Sequence, residues 1–274
     1  MPRLIRAALA RSGIKADLPS TGVDVIGDIA ILRLPGLRAK EKRSFAEALC
    51  EESGSIKVVF EQEGGIEGKH RLRRLRHLTG EKRSTTVHKE NGCSYRLDVA
   101  KCYFSPRLST ERERIASEVR KKERVLNMFA GVGPFSIPIA KVAGARVVSC
   151  EVNPSACRYH EENNRLNKVQ DLVTLIRGDA ADLPEVVTGK FDRVLMPHPS
   201  EADRFLEVAL SMCKRDGLVH YYRHVLGKDE RDAGRALKGE LSGLLPPKTR
   251  FTVRRVRDVG PRWVEMAAEI RLRN

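Results

Sequence analysis

Four residues carry most of the chemistry legible in this 274-residue chain: Gly131, Gly133, Glu151 and Asp179. The two glycines sit in the stretch NMFAGVGPFS, residues 127–136, between a β-branched segment and an amphipathic one. A glycine carries no Cβ, so backbone can approach a ligand closely at both positions. Glu151 ends the next β-branched segment, RVVSCE, twenty residues after Gly131. A carboxylate there can accept hydrogen bonds from both hydroxyls of a ribose. Asp179, in Gly178-Asp179-Ala180, ends the third segment and can accept from, or lie beside, an adenine amino group.

A dinucleotide fingerprint would place a third glycine at 136, where this chain has Ser136. Pyrophosphate binding, and with it a nicotinamide enzyme, is therefore weakly supported. A glycine turn, a ribose acid and an adenine acid at three successive strand ends form the layout of an S-adenosylmethionine site.

The elements that must position these residues follow from periodicity. From residue 124 strand alternates with helix: RVLNM, then a helix over 134–142; RVVSC, then 154–167; LVTLI, then GDAADL; FDRVLM, then 200–213; GLVHYY, then 229–240. That rhythm predicts a parallel sheet with helices on both faces. TRFTVRRVRDV and RWVEMAAEIRLR predict an antiparallel pair of strands at the end. Upstream, the pattern predicts a helix over 1–16, a hairpin over 23–34 around Gly27-Asp28, a helix over 39–53, and strands in SIKVVFEQ and 95–104. STERERIASEV, 109–119, has a Ser/Thr cap and acids in its first turn, a good helix start. The reading is thus a small α+β domain over 1–108 and a Rossmann-like α/β domain over 109–274.

Charge separates the same regions. The formal net charge is +15, which favours a polyanionic partner. Residues 124–225 are near neutral, with 13 Lys/Arg against 12 Asp/Glu; the excess lies in the flanks, +9 before and +5 after. Residues 69–90 alone hold eight Lys/Arg, three His and two acids. Six cysteines show no CxxC pair and no metal spacing with His, so no structural metal is expected and the thiols read as reduced and intracellular. No apolar run reaches membrane-spanning length. The basic, amphipathic start, MPRLIRAALARSG, reads as a short first helix rather than a transit peptide.

VLNMFAGVGPFSIPIAK, EVNPSACRYHEENNRLNKV, GDAADLP and GLVHYY, with HLTGEKRSTTVHKENG and DVAKCYFSPRLSTERERI upstream, closely resemble the archaeal and eukaryotic tRNA (guanine-N1)-methyltransferases. These modify the guanine on the 3′ side of the anticodon. The resemblance covers about residues 20–274 and extends to relatives that transfer the aminocarboxypropyl group of the same cofactor in wybutosine synthesis. It implies a class I S-adenosylmethionine-dependent methyltransferase domain preceded by a small RNA-binding domain that completes the active site. The elbow-binding N-terminal domain of fuller members is expected to be absent. The implied cofactor set is Arg112, Phe129, Gly131, Gly133, Glu151, Val152, Asn153, Asp179, Ala180 and Pro197.

The same resemblance implies Glu111 as the general base and Arg71 as the cation at O6. The chemistry agrees: guanine N1 becomes a nucleophile as its proton leaves, and charge then builds on O6. Arg73 competes with Arg71 for that role. Arg112, beside Glu111, can bias its neighbour toward ionisation. Two positions depart from the family. Asn127 stands where an acid is usual, and Pro197-His198-Pro199 replaces Asn-Leu-Pro, leaving Pro197, His198 or Ser200 to position the base.

The partner expected is the anticodon stem-loop of tRNA, gripped by phosphate contacts from Arg71, Arg73, Lys89 and Arg107 and from the basic tail. Unpaired loop bases flip cheaply. Tyr103, Phe104, Tyr221 and Tyr222 are the candidate stacking partners. A cytoplasmic monomer is expected. The alternatives are the aminocarboxypropyl transferase and a non-catalytic tRNA-binding protein.

Overall fold

The computed structural model describes residues 2–15 and 22–272. It divides into two compact units, Met1–Ser109 and Thr110–Asn274.

In the first unit, helix α1 (Pro2–Ser12) precedes strands β1 (Asp24–Ile26) and β2 (Ile29–Leu32). Helix α2 (Ala39–Ser53) then leads to β3 (Val58–Glu67), β4 (Leu72–Gly80), β5 (Thr85–Glu90) and β6 (Cys93–Asp98). The first four strands form a sheet in the order β1-β2-β3-β4, parallel only between β2 and β3; β5 and β6 make a separate hairpin. Parallel pairing needs a crossover, and α2 supplies it. Glu41 in the first turn of α2 accepts the Arg38 N–H at 2.7 Å, and Gly54 ends the helix at φ 64°. Leu32, Leu34, Phe45 and Leu49 are central to this unit's core. Gly27, in the β1–β2 turn, could take no side chain, because a Cβ would stand 2.1 Å from Thr86 Oγ1 and 2.6 Å from the Val87 carbonyl. The segment 69–90 is therefore not only a charge run but two strands. The strand expected over 95–104 stops at Asp98, whose carboxylate accepts the Ala100 N–H at 2.9 Å and turns the chain.

The second unit holds α3 (Ser109–Glu118, entered from the preceding residue), β7 (Arg124–Asn127), α4 (Ser136–Ala143), β8 (Arg146–Glu151), α5 (Pro154–Leu166) and β9 (Val173–Arg177). It continues with α6 (Leu183–Val186), β10 (Phe191–Met196), α7 (Leu206–Met212), β11 (Cys213–Leu226), α8 (Glu230–Leu244), β12 (Arg250–Gly260) and β13 (Trp263–Arg271). The seven strands lie in the order β12-β13-β11-β10-β7-β8-β9. β11, β10, β7, β8 and β9 run parallel, and β13 and β12 are antiparallel additions. β10 is buried at all but Asp192, as expected of a strand covered on both faces. The helix expected over 200–213 starts as a 3-10 turn at Asp203–Phe205 and is regular only in α7.

The chain leaves β7 toward β8 and β9, then returns to β10 on the other side of β7. That reversal opens a crevice at the carboxyl ends of β7 and β10, where open α/β sheets bind ligands.

Candidate active site

The glycine turn lies at that switch point. Gly131 has φ 53° and Gly133 φ 95°, the left-handed region. A Cβ on Gly133 would stand 2.7 Å from Ile137 Cδ1 and 3.1 Å from the His160 ring, so a larger residue would have to push both aside as well as adopt φ 95°. Glu151, at the end of β8, accepts the Gly131 N–H on Oε2 at 2.6 Å and the Asn153 N–H on Oε1 at 2.8 Å. The carboxylate is thereby held in one orientation beside the turn. Asn153 caps α5, accepting from the Ser155 N–H at 3.0 Å. α5 in turn braces the turn: His160 Nδ1 donates to the Gly131 carbonyl at 3.1 Å and Asn163 Nδ2 to the Val132 carbonyl at 3.0 Å. Burial lowers the His160 pKa to about 4, so the ring is neutral and its proton lies on Nδ1.

Asn127 is fully buried. Its Nδ2 donates to Ser136 Oγ at 3.0 Å, its Oδ1 accepts the Phe129 N–H at 3.3 Å, and Ser149 Oγ lies 2.7 Å from Ser136 Oγ. The Asn127 amide thus closes a buried polar network under the turn. Asp179 turns its carboxylate to the Ala181 N–H at 3.1 Å; Ala180 is buried and Val152 half-buried. Phe129 packs against His198 at 4.9 Å and Phe205 at 5.0 Å between ring centroids. His198 therefore lies beside the glycine-turn segment. Pro197 is half-buried, the His198 N–H donates to the Met196 carbonyl at 2.7 Å, and the Pro199 carbonyl accepts the His224 N–H at 3.3 Å, which fixes the bend after β10.

Glu111 is buried on α3 and receives four donors. Arg114 Nε reaches Oε2 at 3.1 Å; Arg114 Nη2 at 3.0 Å, the Tyr222 hydroxyl at 2.5 Å and Arg254 Nη2 all reach Oε1. The Tyr222 ring also lies 6.1 Å from that of Phe135 in the glycine-turn segment, linking Glu111 to the crevice through one residue. Burial, then the Glu111 charge, push the Tyr222 phenol well above its ordinary pKa. Burial alone would weaken the Arg114 cation, but Glu111 outweighs it and holds the guanidinium above its usual value. Arg112 is buried to 1% exposure. The cations that donate directly to the Glu111 carboxylate are Arg114 and Arg254. Tyr221 and Tyr222 are buried at 0% and 1% exposure, so neither is a surface on which an RNA base stacks.

In the first unit, Arg71 takes φ 53° and lays its guanidinium over Tyr103, 4.8 Å from the ring centroid. Its Nε is buried without a hydrogen-bond partner among the described residues. Arg73 leaves the set of RNA contacts: it is buried, with Nη2 donating to Asp24 at 2.9 Å and to the Phe104 carbonyl at 3.2 Å. Arg107 donates to the other Asp24 oxygen at 2.7 Å while staying half exposed, and Lys89 is exposed. Phe104 is buried and does not present a stacking face.

Residues 86–237 match the family model described as the TRM5/TYW2 methyltransferase domain, and residues 6–84 match the TYW2 N-terminal domain. The chain belongs to the TRM5/TYW2 methyltransferase family. Among its relatives, the tRNA (guanine(37)-N(1))-methyltransferase Trm5b of Pyrococcus abyssi is 44% identical over 202 residues, 74% of this chain and 59% of that protein. The chain therefore spans under two thirds of that relative's length. The tRNA 4-demethylwyosine(37)-methyltransferase Taw21 of Saccharolobus solfataricus is 34% identical over 91% of this chain and 93% of the relative. The crystal structure of Methanocaldococcus jannaschii Trm5 in complex with adenosine superposes with a TM-score of 0.78 at 33% identity, covering 94% of this chain and 76% of that one. The second unit is thus the class I S-adenosylmethionine-dependent methyltransferase fold of this TRM5/TYW2 family. Among the described residues no helix is long and apolar enough to cross a membrane, and no group of three or more His, Cys, Asp or Glu could hold a metal.

The sequence indicated the glycine turn, Glu151 and Asp179 because each ends a strand. It missed His160, Arg114 and Arg254. Only their place in the fold gives these residues a role, and nothing local distinguishes them.

Proposed function

We propose that this chain is an S-adenosylmethionine-dependent methyltransferase acting on N1 of the guanine 3′ of the anticodon in tRNA. One observation carries the reading: a buried carboxylate, Glu111, is joined through Tyr222 to the glycine turn of the adenosyl crevice. The crevice fits the cofactor. Glu151 is held in one orientation by two backbone N–H groups and is the proposed ribose acceptor; Gly131, Gly133, Phe129, Val152, Asn153, Asp179, Ala180 and Pro197 complete the proposed set, with Arg112 next to Glu111 in sequence. S-adenosylmethionine supplies an electrophilic methyl carbon.

The chain's own residues do the rest. Glu111 takes the N1 proton, Tyr222 and Arg114 hold the carboxylate in place, and Arg71 is the proposed cation for O6. Arg71, Lys89 and Arg107 are the proposed phosphate contacts of the first unit. His198, beside Phe129, is the side chain in the Pro197–Pro199 bend best placed to orient a base.

A second reading has one observation in its favour. The Taw21 relative matches this chain over 93% of its own length, and its printed substrate is 4-demethylwyosine at position 37. Methylation of that tricyclic base would use the same crevice. Aminocarboxypropyl transfer is the third possible outcome. One experiment decides: react the protein with labelled cofactor and tRNA carrying either unmodified guanine or 4-demethylwyosine, digest, and weigh the nucleosides. A methyl gain on unmodified guanine supports the first reading; a gain on 4-demethylwyosine alone, or an aminocarboxypropyl gain, replaces it.

A further inference from the structure

A groove of about 890 Å³ lies between α8 and β12, the outermost strand of the large sheet. Arg231, Arg235 and Lys238 line it from α8, spaced to share one helix face, and Arg254 lines it from β12. The three α8 cations are exposed, and among the described residues no ion pair or side-chain hydrogen bond engages them. Asp229 and Glu230 stand at the groove's end near the start of α8. Gly234 forms part of the floor. Mid-helix glycine costs about 1 kcal/mol relative to alanine. Packing does not require it here, since a Cβ would meet its nearest neighbours at an ordinary 3.7 and 3.8 Å.

Arg254 belongs to this groove and to the Glu111 cluster at once. A carboxylate has about four acceptor sites. Glu111 has four donors: two from Arg114, one from Tyr222 and one from Arg254. Three of these donors crowd onto Oε1 and only one reaches Oε2, so the carboxylate is held by two guanidinium cations and its basicity is damped rather than its sites filled. Arg114 grips with a fork from the same helix, and Tyr222 is buried. Arg254 is the donor able to leave: its side chain is 31% exposed and, among the described residues, its Nε has no hydrogen-bond partner and its nearest further carboxylate, Glu269, is 4.0 Å away.

We propose that the α8–β12 groove binds a phosphodiester of the substrate RNA, and that Arg254 is a positioning residue that turns from the crowded Oε1 of Glu111 to this phosphate, taking its positive charge away from the base. The inference rests on the reading that Glu111 is the base for an RNA substrate. RNA docking and base activation are then one event, and the carboxylate keeps a second cation beside it until the correct backbone is seated.

The test combines RNA binding with single-turnover transfer at saturating tRNA. Arg231→Gln/Arg235→Gln/Lys238→Gln should weaken tRNA binding about tenfold or more and reduce the salt slope by roughly 2 to 3. It should also slow transfer about tenfold, because Arg254 then stays on Glu111. With Arg254→Ala or Arg254→Lys added, the three substitutions should still cost affinity but no longer cost rate; two replacements are used so that one poorly folding variant does not decide the result. A rate loss that persists in both backgrounds overturns the coupling. Unchanged tRNA affinity and salt slope in the triple variant overturn the groove, and so does inorganic phosphate binding by calorimetry that survives all three substitutions. If the unsubstituted protein transfers to no RNA, the function reading has failed, and the binding measurements still decide the groove.

Discussion

Glu151 Oε2 accepts the N–H of Gly131 at 2.6 Å, so the carboxylate expected to hold the ribose and the turn expected to face the sulfonium are one hydrogen-bonded unit. The second oxygen takes the Asn153 N–H at 2.8 Å, and Asn153 in turn caps α5. Strand end, turn and helix start are thereby fixed by a single side chain. A charge-assisted bond of this kind contributes about 1.5–3 kcal/mol.

Glu151→Ala should therefore act twice. Loss of the ribose acceptor should weaken S-adenosylmethionine binding at least tenfold by calorimetry. Loss of an acceptor for two backbone N–H groups should also lower the melting temperature without cofactor. Glu151→Gln retains an acceptor and should recover much of the stability but little of the affinity. Cofactor affinity unchanged in both variants would remove Glu151 from the ribose site.

His160 sets a pH dependence. Its folded pKa is about 4 because burial disfavours the cation, against an ordinary value of 6.5. The unfolded chain takes up the proton first on acidification. Stability from this residue is thus complete above about pH 6.5, falls between 6.5 and 4, and levels off below 4. The full loss is on the order of 3 kcal/mol, with about 2 kcal/mol gone by pH 5. His160→Asn keeps a donor for the Gly131 carbonyl but does not titrate. Denaturant unfolding at pH 7 and pH 5 should show a smaller drop in the variant; equal drops would mean that the buried ring does not resist protonation.

Which features were legible in sequence follows from range. The alternation after residue 124 was readable because parallel strands and their helices each carry their own period. The turn glycines were readable because φ 53° and φ 95° favour glycine whatever surrounds them. β4 was hidden: Leu72, Leu75 and Leu78 recur every third residue, with Arg and His between them, which masks a strand that bulges where it pairs with β3. Arg73 read as an RNA contact because its partner, Asp24, is 49 residues away. Glu111 and Arg254 are 143 residues apart, and no local pattern joins them.

Asp24 offers a test in the first unit. It accepts from buried Arg73 on one oxygen and from Arg107 on the other. Breaking a buried pair by removing one charge costs about 3–5 kcal/mol, because the remaining ion is left uncompensated. Asp24→Asn should lower stability by an amount of that order, and Arg73→Met should restore part of it by removing the stranded cation. Arg107→Gln, at a half-exposed position, should cost about 1 kcal/mol or less in stability. Denaturation of the three variants and the Asp24→Asn/Arg73→Met pair checks the order; additive losses in the pair would show that the two groups do not interact.

Glu111→Gln separates chemistry from binding. The amide keeps the size of the carboxylate and one acceptor, yet it cannot take a proton from N1. General-base catalysis contributes typically 10²–10⁴-fold, so single-turnover methylation at saturating tRNA and cofactor should fall about 10²-fold or more. RNA affinity should not fall, since the buried side chain makes no surface contact itself; release of Arg254 from the neutral amide should if anything tighten binding. The variant also removes the anion that balances Arg114 and Arg254, so its melting temperature should drop. Measuring the rate well below that temperature keeps the two effects apart. A folded Glu111→Gln protein that methylates at the parental rate would place the base elsewhere and leave Glu111 as the anchor of an ion cluster.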